Sequence, residues 1–93
     1  MISANPWLSL DGLLKYGVMQ ENNTKLRSTI GANLQKARKA KRYTQEEVAK
    51  GAGLTTNYYA MLERGESIAS LEALYAIFAV LEVEASEILP EKA

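Results

Sequence analysis

The sequence predicts an all-α fold of five short helices around one core. Apolar residues recur at intervals of three and four, residues able to cap helices precede several of these stretches, and no stretch alternates apolar and polar residues as a strand does. With 93 residues, 47% of them hydrophobic, the chain has room for one small domain. We expect this compact domain in residues 25–93, preceded by an N-terminal extension in residues 1–24.

The composition argues against several classes of function. The chain contains no Cys and no His, so it lacks a thiolate nucleophile, the usual general base and the commonest metal ligands. We therefore expect no enzyme activity, no metal and no cofactor, and no small-molecule ligand is evident. No apolar run reaches the roughly 20 residues that cross a bilayer, and the first residues do not resemble a signal peptide. A cytoplasmic location is expected.

The N-terminal extension, residues 1–24, is more apolar than a flexible tail normally is, although one proline and two glycines interrupt it. It can hold a short helix from Ser9 to Tyr16. The apolar side of this helix would cover the domain or pair with a second copy of the chain, or it would bind another protein. A further alternative is that translation begins at Met19, which would make residues 20–24 the true amino-terminal tail.

The first helix of the domain is predicted over residues 25–41. Its apolar residues Leu26, Ile30, Leu34 and Ala37 recur at helical spacing and form one stripe, which we expect to be buried. The remaining positions carry much of the positive charge of the chain, and basic residues at a helix carboxy terminus suit the helix dipole.

The charged residues are segregated along the chain even though the net charge is zero. Seven of the eleven positive charges lie within residues 25–42, where no acid occurs, whereas beyond Arg64 every charged residue is a glutamate until Lys92. Such asymmetry gives the molecule a positive end that can face phosphate groups. The alternative is a solvated basic helix, and charge alone does not separate the two.

The central segment predicts two short helices joined by a tight turn. Thr44 and Glu47 have capping-box spacing, Gly53 can take the left-handed conformation that ends a helix, and Thr55 can cap the next helix, which Gly65 stops. Two such helices form a helix-turn-helix, whose second helix can enter the major groove of DNA.

Two more helices are predicted after the turn that follows Gly65. Ser70 can cap a helix running to about Leu81, and its broad apolar face would close the core. Residues 86–89 can form one last turn before Pro90 stops it. The apolar residues of that turn, including Ile88, would either cover the core or stay exposed for a partner.

Several short motifs occur in order over roughly residues 30–89. They are Ile30-Gly31 with Leu34 and Arg38, Thr44-Gln45-Glu46-Glu47 with Ala49, Gly53-Leu54, Glu63-Arg64-Gly65, and Ser70-Leu71. Together they resemble the phage repressor and Cro-type helix-turn-helix family, also called XRE-like. The most similar group is the single-domain one that includes restriction-modification controller proteins. The resemblance implies a compact five-helix lambda-repressor-like domain.

The resemblance also implies which residues contact DNA bases. Residues 55–62 correspond to the recognition helix, and its outward side chains are Thr56, Asn57, Ala60 and Met61. Asn57 can pair with an adenine through two hydrogen bonds, Thr56 can hydrogen-bond a base or touch a thymine methyl, and the other two offer apolar contact. The alternative is that Thr56 and Asn57 are ordinary exposed polar residues.

Contacts to the DNA backbone are expected from a second set of residues. These candidates for phosphate contact are Arg38, Lys41, Arg42, Gln45, Tyr58 and Arg64. Arg64 has two alternatives, because it can reach phosphate or pair internally with Glu47 or Glu63. Tyr59 and Leu62 are expected in the core.

By this resemblance the chain is expected to bind double-stranded DNA as a transcription regulator that represses by occupying an operator. A homodimer would place two recognition helices about 34 Å apart on a near-palindromic sequence. The dimer contacts would come from the last helix and from residues 7–16. The alternative hypothesis is a protein-interaction module on the same fold, such as an antitoxin-like or polymerase-contacting protein.

Overall fold

The structure, a computed structural model, describes residues 10–90, with side chains from residue 24 onward. All regular structure in this part of the chain is helical, which confirms the predicted all-α fold. The five helices are α1 (Leu10–Ala40), α2 (Gln45–Ala52), α3 (Thr56–Glu63), α4 (Leu71–Leu81) and α5 (Ala85–Ile88).

Helix α1 begins well before the start that the apolar spacing predicted. We expected a short helix over residues 9–16 and a separate helix from Lys25, but α1 runs without interruption from Leu10 to Ala40. The polar residues 20–24 contain neither proline nor glycine, so nothing in them ends a helix. Ser9, the predicted start, lies outside the described residues. The domain boundary at residue 24 stays a prediction.

The core draws side chains from all five helices. Tyr59 and Leu62 of α3 are buried, as predicted, and Ile88 of α5 lies in the core instead of remaining exposed. Burial of side chains of this size contributes about 1.5–3 kcal/mol each. The remaining members of the buried cluster are Leu34, Val48, Ala49, Ile77 and Leu81.

The turn between α2 and α3 has the capping structure that the sequence predicted. The backbone N–H of Glu47 donates to the Thr44 hydroxyl at 3.0 Å, and the Glu47 carboxylate accepts from the backbone N–H of Thr44 at 2.8 Å. Gly53 ends α2 with a φ of 73°, in the left-handed region. The hydroxyl of Thr55 then accepts from the backbone N–H of Tyr58 at 3.1 Å and starts α3.

Helix α1 supports the carboxy-terminal end of α3 at very close range. Gly31 is buried, and a Cβ atom at this position would lie 2.5 Å from the carbonyl oxygen of Leu62 and 2.8 Å from the carbonyl carbon of Glu63. Only glycine allows the two backbones to approach this closely. Further along α1, the side chain of Asn33 donates to the carbonyl oxygen of Ile88 at 2.8 Å and fastens α5.

Candidate nucleic-acid interface

The amino-terminal turn of α3 is the exposed part of the helix-turn-helix. Thr56 and Asn57 are exposed, whereas Tyr59 points into the core. Residues 55–62 carry no charge, and Glu63, the acid at the end of α3, is buried. The outward surface of α3 therefore presents hydrogen-bonding groups without a carboxylate that would repel DNA phosphates.

The side chain of Asn57 is positioned by its neighbour one turn along the helix. Its Nδ2 atom lies 3.8 Å from the Met61 sulfur, in a weak hydrogen bond. A side-chain amide has two N–H donors and one carbonyl acceptor, so one donor and the acceptor of Asn57 remain for a base. This is the combination that pairs with adenine in the major groove.

Ala60 does not occupy the outward position that we predicted for it. It is only 8% exposed, because its short methyl group does not reach past the surrounding side chains. A base contact by Ala60 is therefore not available in this structure. Met61 is half-buried and keeps part of its apolar surface outside.

A buried ion pair holds the far end of α3. The Arg38 Nε atom donates to the Glu63 Oε2 atom at 2.6 Å, and Nη2 donates to Oε1 at 3.1 Å, with side-chain exposures of 11% and 2%. The side-chain amide of Gln45 donates to the same Oε1 atom at 2.9 Å. The third Arg38 nitrogen, Nη1, donates to the carbonyl oxygen of Tyr43 at 2.9 Å. One carboxylate thus joins α1, the start of α2 and the end of α3.

This network corrects one of the expected phosphate contacts. All three guanidinium nitrogens of Arg38 have partners within the protein. The side-chain amide of Gln45 donates one N–H to Glu63. Its second N–H donor remains, so the phosphate contact expected of Gln45 stays a prediction. The role of Glu63 was missed in the sequence because Arg64, its neighbour in the chain, was considered as the partner instead.

The network is ionised at neutral pH. Burial alone would raise the pKa of Glu63, but hydrogen bonds from Arg38 and Gln45 outweigh it, so the pKa lies below its usual range. The hydrogen bond to Glu63 raises the pKa of Arg38. The hydroxyl of Tyr59 is also buried, and this burial, together with the nearby Glu63 carboxylate, raises its pKa.

The remaining residues predicted to contact phosphate are exposed, except Tyr58, which is half-buried. Lys41 pairs with Glu82 at 2.5 Å, and Arg64 pairs with Glu66 at 3.0 Å instead of with either of the two partners we considered. Such exposed pairs contribute little to stability and exchange readily for other partners. Arg42 is exposed. The half-buried Tyr58 donates its hydroxyl to the carbonyl oxygen of Ile68 at 3.4 Å.

Within residues 10–90, no group of three or more acidic side chains is placed to hold a metal ion. No helix in this part of the chain is long and apolar enough to cross a membrane.

A helix-turn-helix family model matches residues 34–88, from the last two turns of α1 to the end of α5. The chain therefore belongs to the helix-turn-helix family of the XRE type, a class of DNA-binding transcription regulators. The matched range contains the buried ion pair, both capped helices and the core, which are the features that define the site.

Among solved structures, the chain is similar to the clp gene regulator ClgR from C. glutamicum. The two share 30% sequence identity, with a TM-score of 0.64, over 68% of this chain and 82% of the other. No curated protein was found that matches the chain.

Proposed function

We propose that the chain is a sequence-specific transcription regulator that acts by binding a near-palindromic operator as a homodimer. The observation that supports this most is the exposed amino-terminal turn of α3, which offers Thr56 and Asn57 on an uncharged surface. The similarity to a clp gene regulator points to the same class of function. No catalytic role is part of this proposal.

In the proposed complex, the amino-terminal turn of α3 enters the major groove. Asn57 uses its free N–H and its carbonyl oxygen on an adenine, and Thr56 hydrogen-bonds a base edge or contacts a thymine methyl. Met61 adds an apolar contact. Ala60 has no part in base recognition because it is buried.

Phosphate contacts position the protein in this complex. Arg42 is free to make one directly, Arg64 can do so by leaving its exposed pair with Glu66, and Lys41 can leave Glu82. The hydroxyl of Tyr58, on α3, can turn towards the DNA backbone by leaving the carbonyl oxygen of Ile68. Arg38 contributes indirectly, because its ion pair with Glu63 fixes α3 against α1.

The homodimer follows from the small number of base-reading side chains. One α3 helix offers two polar readers, and each good base contact gives about 1–3 kcal/mol of discrimination. A single copy would therefore read only a few base pairs. Two copies related by a two-fold axis would read two half-sites about one turn of DNA apart.

The proposal is tested by selection of DNA from a random pool. The purified protein is mixed with fragments containing a randomised segment at about physiological salt, and the retained DNA is sequenced. Enrichment of one short near-palindrome is the expected result. Retention without any sequence preference, or no retention, would contradict the proposal and favour a protein-interaction module.

Substitution of Asn57 by alanine is expected to weaken binding to the selected operator by about 1–3 kcal/mol for each half-site, or about 2–6 kcal/mol for the dimer. The loss arises at one base pair in each half-site, because the amide no longer pairs with the base. Binding to unrelated DNA, which depends on phosphate contacts, stays nearly unchanged. Titrations of both DNAs with the same protein measure the two effects.

The matched control for Asn57→Ala is Ser86→Ala, which shortens an exposed polar side chain on α5. This variant is expected to bind both DNAs as the unmodified protein does. Equal loss on operator and unrelated DNA in Asn57→Ala would show that Asn57 has no role in reading sequence.

A further inference from the structure

Helix α4 has an apolar outer face that the core does not use. Of its eleven residues only Glu72 is charged, and a helix with so little charge is normally buried on most sides. Yet Leu71 is 68% exposed and Tyr75 is 69% exposed, and Ala79 is exposed one turn further on. These three residues are spaced by four and form one ridge along the outside of α4, here called the α4 ridge.

The apolar surface continues beyond the α4 ridge at one end and along one side. Ile68, in the loop before α4, is 59% exposed and extends the surface at one end. On one side of the ridge an open groove of about 480 Å³ separates α4 from α5. Apolar residues that line this groove are Leu74, Phe78, Val83 and Leu89. Isolated apolar residues on a surface need no explanation, whereas a contiguous area of this kind marks an interaction site.

We infer that the α4 ridge is where two copies of the chain pair, in an antiparallel arrangement whose two-fold axis passes beside Tyr75. The inference rests on the proposed homodimer and names the surface that forms it. It differs from the sequence expectation, which placed the dimer contacts on the last helix and on residues 7–16.

The α4 ridge is complementary to itself in size. Leu71 and Ala79 lie four residues before and four residues after Tyr75, which is about 6 Å in each direction along the helix. When a second copy is turned by two-fold symmetry about Tyr75, Leu71 of each chain meets Ala79 of the other. A large side chain then lies against a small one at both ends of the contact, which allows close packing.

The charges around the α4 ridge are compatible with this pairing. Glu72 lies three residues before Tyr75, so the two-fold places it opposite Phe78 of the other copy and not opposite its own equivalent. Glu82, seven residues after Tyr75, is already paired with Lys41. In this pairing, Glu72 does not lie opposite its own equivalent, and Glu82 has Lys41 as its partner.

The position of the α4 ridge also links pairing to DNA binding. The carbonyl oxygen of Ile68 accepts a hydrogen bond from the hydroxyl of Tyr58, which is on α3. The loop before α4 therefore lies against α3. Pairing through the ridge would set the separation of the two α3 helices, which a near-palindrome requires.

Disulfide cross-linking tests the inference. Because the chain contains no Cys, a variant with one cysteine substitution carries a single thiol per chain. A residue beside a two-fold axis meets its own copy. When helix axes pack about 8–10 Å apart, facing Cα atoms come within the range of a disulfide. Tyr75→Cys is therefore expected to form a covalent dimer under mild oxidation, measured on a non-reducing gel without DNA.

Two further variants test the register of the pairing. Leu71→Cys and Ala79→Cys are each expected to cross-link poorly alone, because each faces the other position. A mixture of the two, with one copy carrying a tag that changes its mass, is expected to give a mixed disulfide. Circular dichroism spectra check that each variant is folded.

The control is Ser86→Cys, which places a thiol at an exposed site on α5. Because pairing raises the effective concentration of facing thiols, Tyr75→Cys is expected to cross-link at least about tenfold faster than this control. Equal rates would overturn the inference and assign the α4 ridge to a different protein. Faster self-cross-linking of Leu71→Cys than of Tyr75→Cys would also overturn it.

The readout distinguishes this inference from the proposed function. A chain that cross-links at Tyr75 but enriches no operator supports the pairing surface and contradicts the regulator. A chain that enriches a near-palindrome but does not cross-link at Tyr75 retains the regulator and overturns this pairing surface.

Discussion

Replacement of Glu63 by glutamine is expected to lower the free energy of unfolding by about 3–5 kcal/mol, because it removes one partner of a buried ion pair. The guanidinium of Arg38 would remain 11% exposed without its carboxylate, and one of the two oxygens that accept from Arg38 and Gln45 would become an amide nitrogen, which cannot accept. For a domain of this size the thermal midpoint should fall by more than about 10 °C. Thermal and urea unfolding followed by circular dichroism measure the change.

Glu66→Gln is the matched control, because it removes an equivalent charge from the half-exposed pair with Arg64. Little change in stability is expected, since exposed pairs are weak. If both variants unfolded at the same temperature, the ion pair between Arg38 and Glu63 would have no special role in stability.

The same carboxylate predicts how stability depends on pH. The pKa of Glu63 is lower in the folded protein than its ordinary value of 4.5. Its contribution is therefore fully present above pH 4.5 and is lost as the pH falls through the folded value. Urea midpoints measured from pH 7 down to pH 3 should fall less in Glu63→Gln than in the unmodified protein. Parallel decreases would exclude Glu63 as a source of the acid sensitivity.

Replacement of Gly31 by alanine is expected to destabilise the protein by about 3 kcal/mol or more, at the upper end of overpacking costs. The new methyl carbon would lie 2.5 Å from the Leu62 carbonyl oxygen, so α1 and α3 must separate. Alanine is favoured over glycine inside a helix by about 1 kcal/mol. The gain in helix propensity is smaller than the cost of separating the two backbones. The free energy of unfolding should therefore decrease, which urea unfolding measures.

Gly51→Ala provides the control for Gly31→Ala. Its Cβ would approach the Val80 Cγ2 atom at 3.0 Å, and a side-chain methyl can move where a backbone carbonyl cannot. A change within about 1 kcal/mol is expected, because the gain in helix propensity offsets the tighter packing. Similar losses in both variants would show that the close approach at Gly31 is not the cause.

Sequence reasoning predicted the parts of the site that depend on neighbouring residues. The capping box of Thr44 and Glu47, the left-handed Gly53 and the cap at Thr55 each involve residues no more than four apart. The structure confirms all three. Thr56 and Asn57 lie in the turn of α3 that the Thr55 cap begins, and both are exposed.

Ala60 and Met61 show the limit of such reasoning within a single helix. The family resemblance placed both on the outward side of α3, yet Ala60 is buried and Met61 is half-buried. How far a side chain stands out depends on its length and on the helices packed beside it. Neither of these is encoded in the spacing of α3 itself.

By itself, the sequence determined the two helices of the helix-turn-helix, the turn between them and their caps, because backbone capping and helical periodicity act within one or two turns. The tertiary structure alone decided the partner of Glu63, which is Arg38, 25 residues away, and the exposure of the α4 ridge. A guanidinium can bond any carboxylate within reach, and an apolar helix can bury any of its faces, so only the packing of the helices selects among them.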